Sequence, residues 1–253
     1  MAIVYTDINE YDIFSVDFFG DYKARITYVP SSRKSGFEEI NPKPKKSVSN
    51  SYDTKLENSI SRSKARIREL SLCNPWDYFV TFTFDPNKVT DRHSLDDTIK
   101  ALNEFLHNYN RRLPDDFKVR YLIIPEHHKD GAWHAHGLIK GIRPTDLCIN
   151  QNGYLTWVQY NAKFGYISLD PIKDIEKASS YILKYVTKDL CHISVGLNKN
   201  IFYHSKGLKG KERVYRGHGV FCGEWSWEHP DGYCKICDID LRKTDISEIF
   251  SLC

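Results

Sequence analysis

Between residues 121 and 139 the chain spells out a β-hairpin, and that hairpin constrains everything built around it. Tyr121-Leu122-Ile123-Ile124 is a short apolar run of strand composition. Trp133-His134-Ala135-His136-Gly137-Leu138-Ile139 reads as a second strand. Between them, Asp130-Gly131 is a strong hairpin-turn signal, because both residues tolerate positive φ. Strand side chains alternate between faces, so His134 and His136 project together and Ala135 turns into the opposite layer. Folding the chain at about residue 130 then lays Glu126 beside His134.

A carboxylate and two imidazoles on one side of a sheet are a plausible donor set for a divalent ion, with Glu126, His134 and His136 as the expected ligands. A His-x-His strand taken alone is equally the pattern of a structural strand; the carboxylate across the turn is what argues for a metal. His127 and His128 read as solvated loop-edge residues, with either able to stand in as a ligand.

About fifty residues on, Tyr181-Ile182-Leu183-Lys184-Tyr185-Val186-Thr187-Lys188 lies in a stretch, 171–190, that reads as a helix. Pro171 suits a first turn, Asp174 and Glu176 suit its dipole, and Lys184 and Lys188 suit the last turn. Tyr181 and Tyr185 are four apart and share a face, and each is followed three residues later by a lysine. A free phenol, with its pKa near 10, is a poor nucleophile at neutral pH. Nearby cations favour the phenolate, and a divalent ion on a phosphodiester makes phosphorus more electrophilic. The competing reading is an amphipathic core helix with solvated lysines.

Taken together, these motifs resemble the rolling-circle replication initiators of the HUH endonuclease superfamily. The resemblance rests on His134-Ala135-His136, on the doubled Tyr-x-x-Lys of residues 181–188, and on the preceding strand Tyr78-Phe79-Val80-Thr81-Phe82-Thr83-Phe84-Asp85, in family order. Ala135 is smaller than the family's usual central residue. The doubled tyrosine motif is similar to that of replication proteins of small single-stranded-DNA phages. The resemblance implies an α+β fold, with a central antiparallel sheet, packed helices and an RRM-like core. It also implies site-specific nicking and joining of single-stranded or origin DNA through a 5′-phosphotyrosine. Tyr181 and Tyr185 would be nucleophiles, and Glu126, His134 and His136 would hold manganese or magnesium. Lys184 and Lys188 would assist the phenolate, neutralise phosphate or protonate the leaving oxygen. Alternatives are a relaxase or transposase of the same superfamily, a zinc hydrolase that uses His-x-His and water, and a non-catalytic DNA-binding module that kept the fold.

Length and charge add organisation. The 253 residues suit one sizeable domain: 1–75 with N-terminal strands, linker and basic helix; 76–190 as the core; and 191–253 as a basic, Cys-containing extension of the same domain. Two strands are expected around Gly20-Asp21, a mobile Ser/Lys/Pro linker over 31–50, a helix from Asp53 to Leu72, and another from Ser94 to Leu113 with Ser94 and Asp97 as a near capping box. In the first of these helices Leu56, Ile60, Ile67 and Leu70 face inward. The net charge of +3 says little, but residues 177–216 hold nine Lys or Arg against Asp189 and Glu212. Within that block Lys206, Lys209, Lys211 and Arg213 are the expected phosphate contacts. Cys222, Cys234 and Cys237 give a weak structural-zinc signal, with buried or free thiols the better expectation; Trp225 and Trp227 read as packing residues. Seven scattered cysteines and a start without a basic, apolar leader point to a reducing bacterial cytoplasm and away from membranes. No phosphate-binding Gly-x4-Gly-Lys-Ser/Thr motif occurs, so strand separation and synthesis would fall to a host helicase and polymerase.

Overall fold

The computed structural model describes residues 9–33, 52–89, 91–187, 190 and 200–252, with side chains in the first helix from 57 onward. In chain order these form β1 (Asn9–Phe19), β2 (Lys23–Arg33), α1 (Tyr52–Leu72), β3 (Tyr78–Thr83), α2 (Leu95–Asn110), β4 (Arg120–His127) and β5 (Trp133–Lys140). There follow β6 (Leu147–Ile149), β7 (Leu155–Trp157), α3 (Val158–Phe164), β8 (Ile167–Pro171) and α4 (Ile175–Ile182). The last strands are β9 (Tyr203–His204), β10 (Glu212–Gly217), β11 (Gly219–Phe221), β12 (Trp227–Glu228), β13 (Lys235–Asp240) and β14 (Phe250–Leu252). The fold is α+β, and the chain forms two compact units: Ser51–Lys209, and Met1–Asn50 together with Gly210–Cys253. Among the described residues no helix is long and apolar enough to cross a membrane.

The unit 51–209 is built on an antiparallel sheet of order β8-β3-β5-β4-β9. Alternation gives each strand two working faces. Val80, Phe82, Ile123, Ala135, Ile139, Ile167 and Leu169 pack with Leu102, Phe105 and Leu106 of α2 and with Trp157, Tyr160 and Phe164 of α3. On the other face, Leu122, Ile124 and Leu138 pack with Ile67 and Leu70 of α1 and Ile182 of α4. The hydroxyls of Ser71 and Ser179, 2.5 Å apart and buried, satisfy each other where α1 meets α4. Fully burying a Leu or Ile is worth about 1.5–3 kcal/mol. A one-residue slip of β5 would turn all its side chains over and forfeit several such terms, which fixes the register.

Gly137 reinforces that register. A Cβ there would stand 2.3 Å from the Leu122 carbonyl oxygen and 2.6 Å from Ile123 Cγ2, so only glycine lets β5 close onto β4. The turn joining them is the expected one, with Gly131 at φ +82° and its N–H donating to the His128 carbonyl at 2.9 Å. Helix α2 starts as expected, its Ser94 hydroxyl accepting from the Asp97 N–H at 3.2 Å, and it ends at Asn110 rather than Leu113.

Three expectations require correction. The helix expected over 171–190 is shorter: Pro171 ends β8, paired with Tyr78, and Asp174 caps α4 by accepting from the Lys177 N–H at 3.1 Å. Lacking an N–H, Pro171 is tolerated at the last position of this edge strand. The helix then tightens into a 3-10 turn over Leu183–Tyr185. Residues 31–33, expected in a linker, continue β2 opposite Tyr11, Glu10 and Asn9; the rest of that stretch lies outside the described residues, as does the Leu56 side chain. Trp227, expected to pack, is 47% exposed, whereas Trp225 does pack, on Phe221 with ring centres 4.1 Å apart.

In the other unit, β1 and β2 form the expected hairpin at Gly20 and join a five-stranded antiparallel sheet of order β10-β1-β2-β13-β12. Its core gathers Phe14, Val16, Ala24, Ile26, Cys237 and Ile239. On β1, Asp17 is buried and accepts from Lys211 Nζ at 2.6 Å and from Arg213 Nε at 2.8 Å and Nη2 at 3.1 Å. Burial opposes ionisation of this carboxyl, but the two cations prevail and hold it below the ordinary carboxylate range. The double variant Lys211→Ala/Arg213→Ala strands a buried carboxylate and is expected to cost about 3–5 kcal/mol in urea unfolding. Asp17→Asn leaves two half-exposed cations to rehydrate and is expected to cost less, about 1–3 kcal/mol. Because its folded pKa is depressed, the Asp17 contribution is complete above the unfolded value and is lost as pH falls through the folded one. Unfolding followed from pH 7 down to about 3 should therefore show a smaller acid loss in Asp17→Asn than in the parent.

Candidate metal centre and paired tyrosines

The register of the central sheet sets the site in rows. Ser168, Thr81, His136 and Ile124 lie across one row; Thr83, His134 and Glu126 lie across the next. Glu126 thus pairs with His134, as the hairpin requires, but its carboxylate reaches diagonally: Oε2 is 2.6 Å from His136 Nε2. His128, two residues beyond Glu126 in the same chain, returns over the sheet with Nε2 3.2 Å from the same Oε2. Glu126, His128 and His136 offer one carboxylate oxygen and two imidazole nitrogens, all within 4.8 Å of one another, and could hold a metal ion. Among the described residues this is the one group of three with that geometry, so Cys222, Cys234 and Cys237 form no comparable cluster. Cys237 is instead buried, and burial raises its thiol.

His134 stands on the expected face but outside that group, its ring stacked on that of His128 with centres 3.8 Å apart and 8° between planes. Both strand histidines are buttressed from β3: Thr81 Oγ1 lies 3.1 Å from His136 Nδ1, and Thr83 Oγ1 3.3 Å from His134 Nδ1. With its proton on Nδ1, His136 donates to Thr81 and presents a lone pair at Nε2, the arrangement a metal-binding imidazole needs. Burial pushes the His136 imidazolium down against the pull of Glu126. Burial, with His128 and His136 close by, pushes that of His134 down to about 4. Both rings are neutral at neutral pH, the ligand form. The donor set fits a mixed-ligand transition ion such as manganese.

The tyrosines close the site from above. The ring of Tyr185 lies flat on His136, centres 3.9 Å apart and planes 8° apart, and its hydroxyl donates to Tyr181 Oη at 3.3 Å. The two tyrosine rings meet edge to face at 5.8 Å, and Phe79 of β3 packs edge-on to Tyr181 at 5.2 Å. Burial, the Tyr181 hydroxyl and the Glu126 charge all raise the Tyr185 phenol. Tyr181 is 46% exposed, and Lys184 Nζ sits 4.9 Å from its ring centre. Lys188 lies outside the described residues.

Residues 77–190 match a family of replication-associated proteins, that of ORF2 and the gene 2 protein. The matched stretch opens one residue before β3 and closes at Leu190, so it contains the threonines, the hairpin and both tyrosines. The match supports a role in replication, with DNA as partner. No curated protein and no solved structure matches the chain.

Of the four basic residues expected to touch phosphate, Lys206 and Lys209 are exposed in the unit 51–209. Lys211 and Arg213 belong to the other unit and engage Asp17. The sequence marks His128 only as a stand-in ligand, because a residue at a turn has no strand parity to read. Thr81 and Thr83 are legible in principle: they alternate in phase with His134 and His136 and pair directly with them.

The site makes a measurable distinction. Alanine at Glu126, His128 or His136 is expected to weaken manganese binding, read by titration calorimetry, by at least about tenfold, and Thr81→Val by about tenfold through loss of ring orientation. His134→Ala, which removes only a stacking partner, should weaken it less than His128→Ala; the reverse order would place His134 in the ligand set.

Proposed function

We propose that the chain is a metal-dependent DNA endonuclease and strand transferase that initiates replication by nicking single-stranded origin DNA. The observation that carries this reading is the contact between nucleophile and ligand: the phenol ring of Tyr185 rests on His136, whose Nε2 meets Glu126. The family match adds the replication context.

In this reading the phenolate oxygen of one tyrosine attacks the scissile phosphorus, the P–O bond to the 3′ oxygen breaks, and a 5′-phosphotyrosine and a free 3′ hydroxyl result. The phenolic proton is ultimately taken up by the departing oxygen. A divalent ion held by the triad would supply positive charge at the phosphate and make phosphorus more electrophilic. The residues of the chain do the rest. Lys184 places a cation over the Tyr181 ring, which favours its phenolate. Phe79 and His136 flank the tyrosines and fix their rings. Thr81 orients His136. Joining is the reverse: a 3′ hydroxyl attacks the phosphotyrosine and the phenol is released.

Two tyrosines within reach of one centre suit a process that cuts once to start and again to finish. Incubation with single-stranded DNA carrying the cognate origin and manganese should give a denaturation-resistant adduct that chelator prevents. Tyr181→Phe and Tyr185→Phe are each expected to retain adduct formation, and the double variant to have none. One dead and one normal single variant would assign all the chemistry to a single tyrosine. Adduct peptides identified by mass spectrometry provide the check. Lys206→Ala/Lys209→Ala is expected to flatten the salt dependence of DNA binding by about one unit of log–log slope for each phosphate no longer neutralised.

A further inference from the structure

Beside the tyrosines, on the side away from the metal centre, the unit 51–209 holds a cleft of about 550 Å³. Its floor is Phe79 and Thr81 of β3, one wall is Ala178, Tyr181 and Tyr185, and the opposite rim is the β8–α4 connection from Asp170 to Asp174. Sheet register fixes the placement: Asp170 pairs with Phe79, so its carboxylate rises on the same face as the metal centre, one strand further out. Its Oδ2 accepts from Ser168 Oγ at 3.2 Å, which leaves acceptor sites of the carboxylate open to the cleft. Lys173 and Lys177 stand exposed at the mouth. Phe79, Pro171, Ile172 and Ala178 make the interior apolar.

We infer that this cleft receives a nucleobase of the single strand, the one adjoining the phosphate offered to the tyrosines. The inference rests on the reading of the chain as a single-strand nuclease. Three observations converge on it. The cleft shares Tyr181 and Tyr185 with the reacting centre, so an occupant is within one nucleotide of it. Phe79 and Tyr181 offer aromatic surface to an unstacked base, and two lysines offer charge to its flanking phosphates. The acceptor inside the rim is a carboxylate, which takes hydrogen bonds from an exocyclic amino group. The favoured base is therefore cytosine, adenine or guanine over thymine, with Asp170 the specificity-determining residue.

The test separates this inference from the catalytic reading. Randomised short single-stranded DNA is selected for binding to the full chain in excess chelator, where no cleavage occurs, and the bound pool is sequenced. The parent should enrich amino-bearing bases at one position. Asp170→Asn, which turns one acceptor into a donor, should reduce that enrichment about tenfold and shift it toward thymine. Ala178→Phe, which fills the cleft, should abolish it, with circular dichroism and manganese binding confirming that each variant is folded. No enriched position in the parent, or the same enrichment in both variants, overturns the inference. Adduct formation with manganese is measured on the same proteins. An adduct with unaltered enrichment sinks the cleft alone; altered enrichment without any adduct in the parent sinks the catalytic reading alone.

Discussion

The antiparallel register between β4 and β5 is the constraint on which the candidate centre depends. It sets Glu126 opposite His134 and one diagonal from His136, close enough for a 2.6 Å contact across the strands. The same register stacks Ile124 and Leu122 over the second core cluster and keeps Ala135 and Ile139 in the first. Core and site are therefore not separable designs. The apolar alternation that prevents slippage is what holds three donor atoms in one place, and Gly137 lets the strands approach closely enough for both.

Electrostatics sharpen that arrangement. A half-buried carboxylate facing neutral rings is a charge short of its complement. Glu126 raises the phenol of Tyr185 just as it opposes the fall of His136. A cation at the triad would answer the carboxylate directly and relieve the penalty on a neighbouring phenolate. Nucleophile and ligand set thus share one electrostatic problem, and their physical contact through the stacked rings makes that coupling short-ranged.

Much of this was legible from local pattern. Period-two alternation and Asp130-Gly131 define the hairpin, and Tyr181 with Tyr185 at a spacing of four predicts neighbouring rings, found 5.8 Å apart. What escaped was decided by packing. The entry of His128 into the triad depends on how the turn returns over the sheet, and its stacking on His134 has no signature in spacing. The tightening of α4 into a 3-10 turn at Leu183 follows no breaker residue; helix propensity alone would have continued it. Nor does any local signal announce that β2 pairs with β13, which lies on the far side of the whole unit 51–209 in sequence. Such pairings are written only in the complementarity of two finished surfaces.

That last pairing has a temporal side. During synthesis the β1–β2 hairpin emerges first, yet its outer neighbours β10 and β13 are made only after the whole of 51–209. At about 5–20 residues per second, the hairpin waits roughly ten to forty seconds for them. An isolated two-stranded hairpin is marginal in water. The intervening unit, whose elements are contiguous in sequence, has everything it needs before the ends meet. The order of assembly is thereby written into the chain: the nuclease-like centre can be complete on the ribosome while the other sheet still lacks its partners, and a chain cut short after residue 209 would keep the first and forfeit the second.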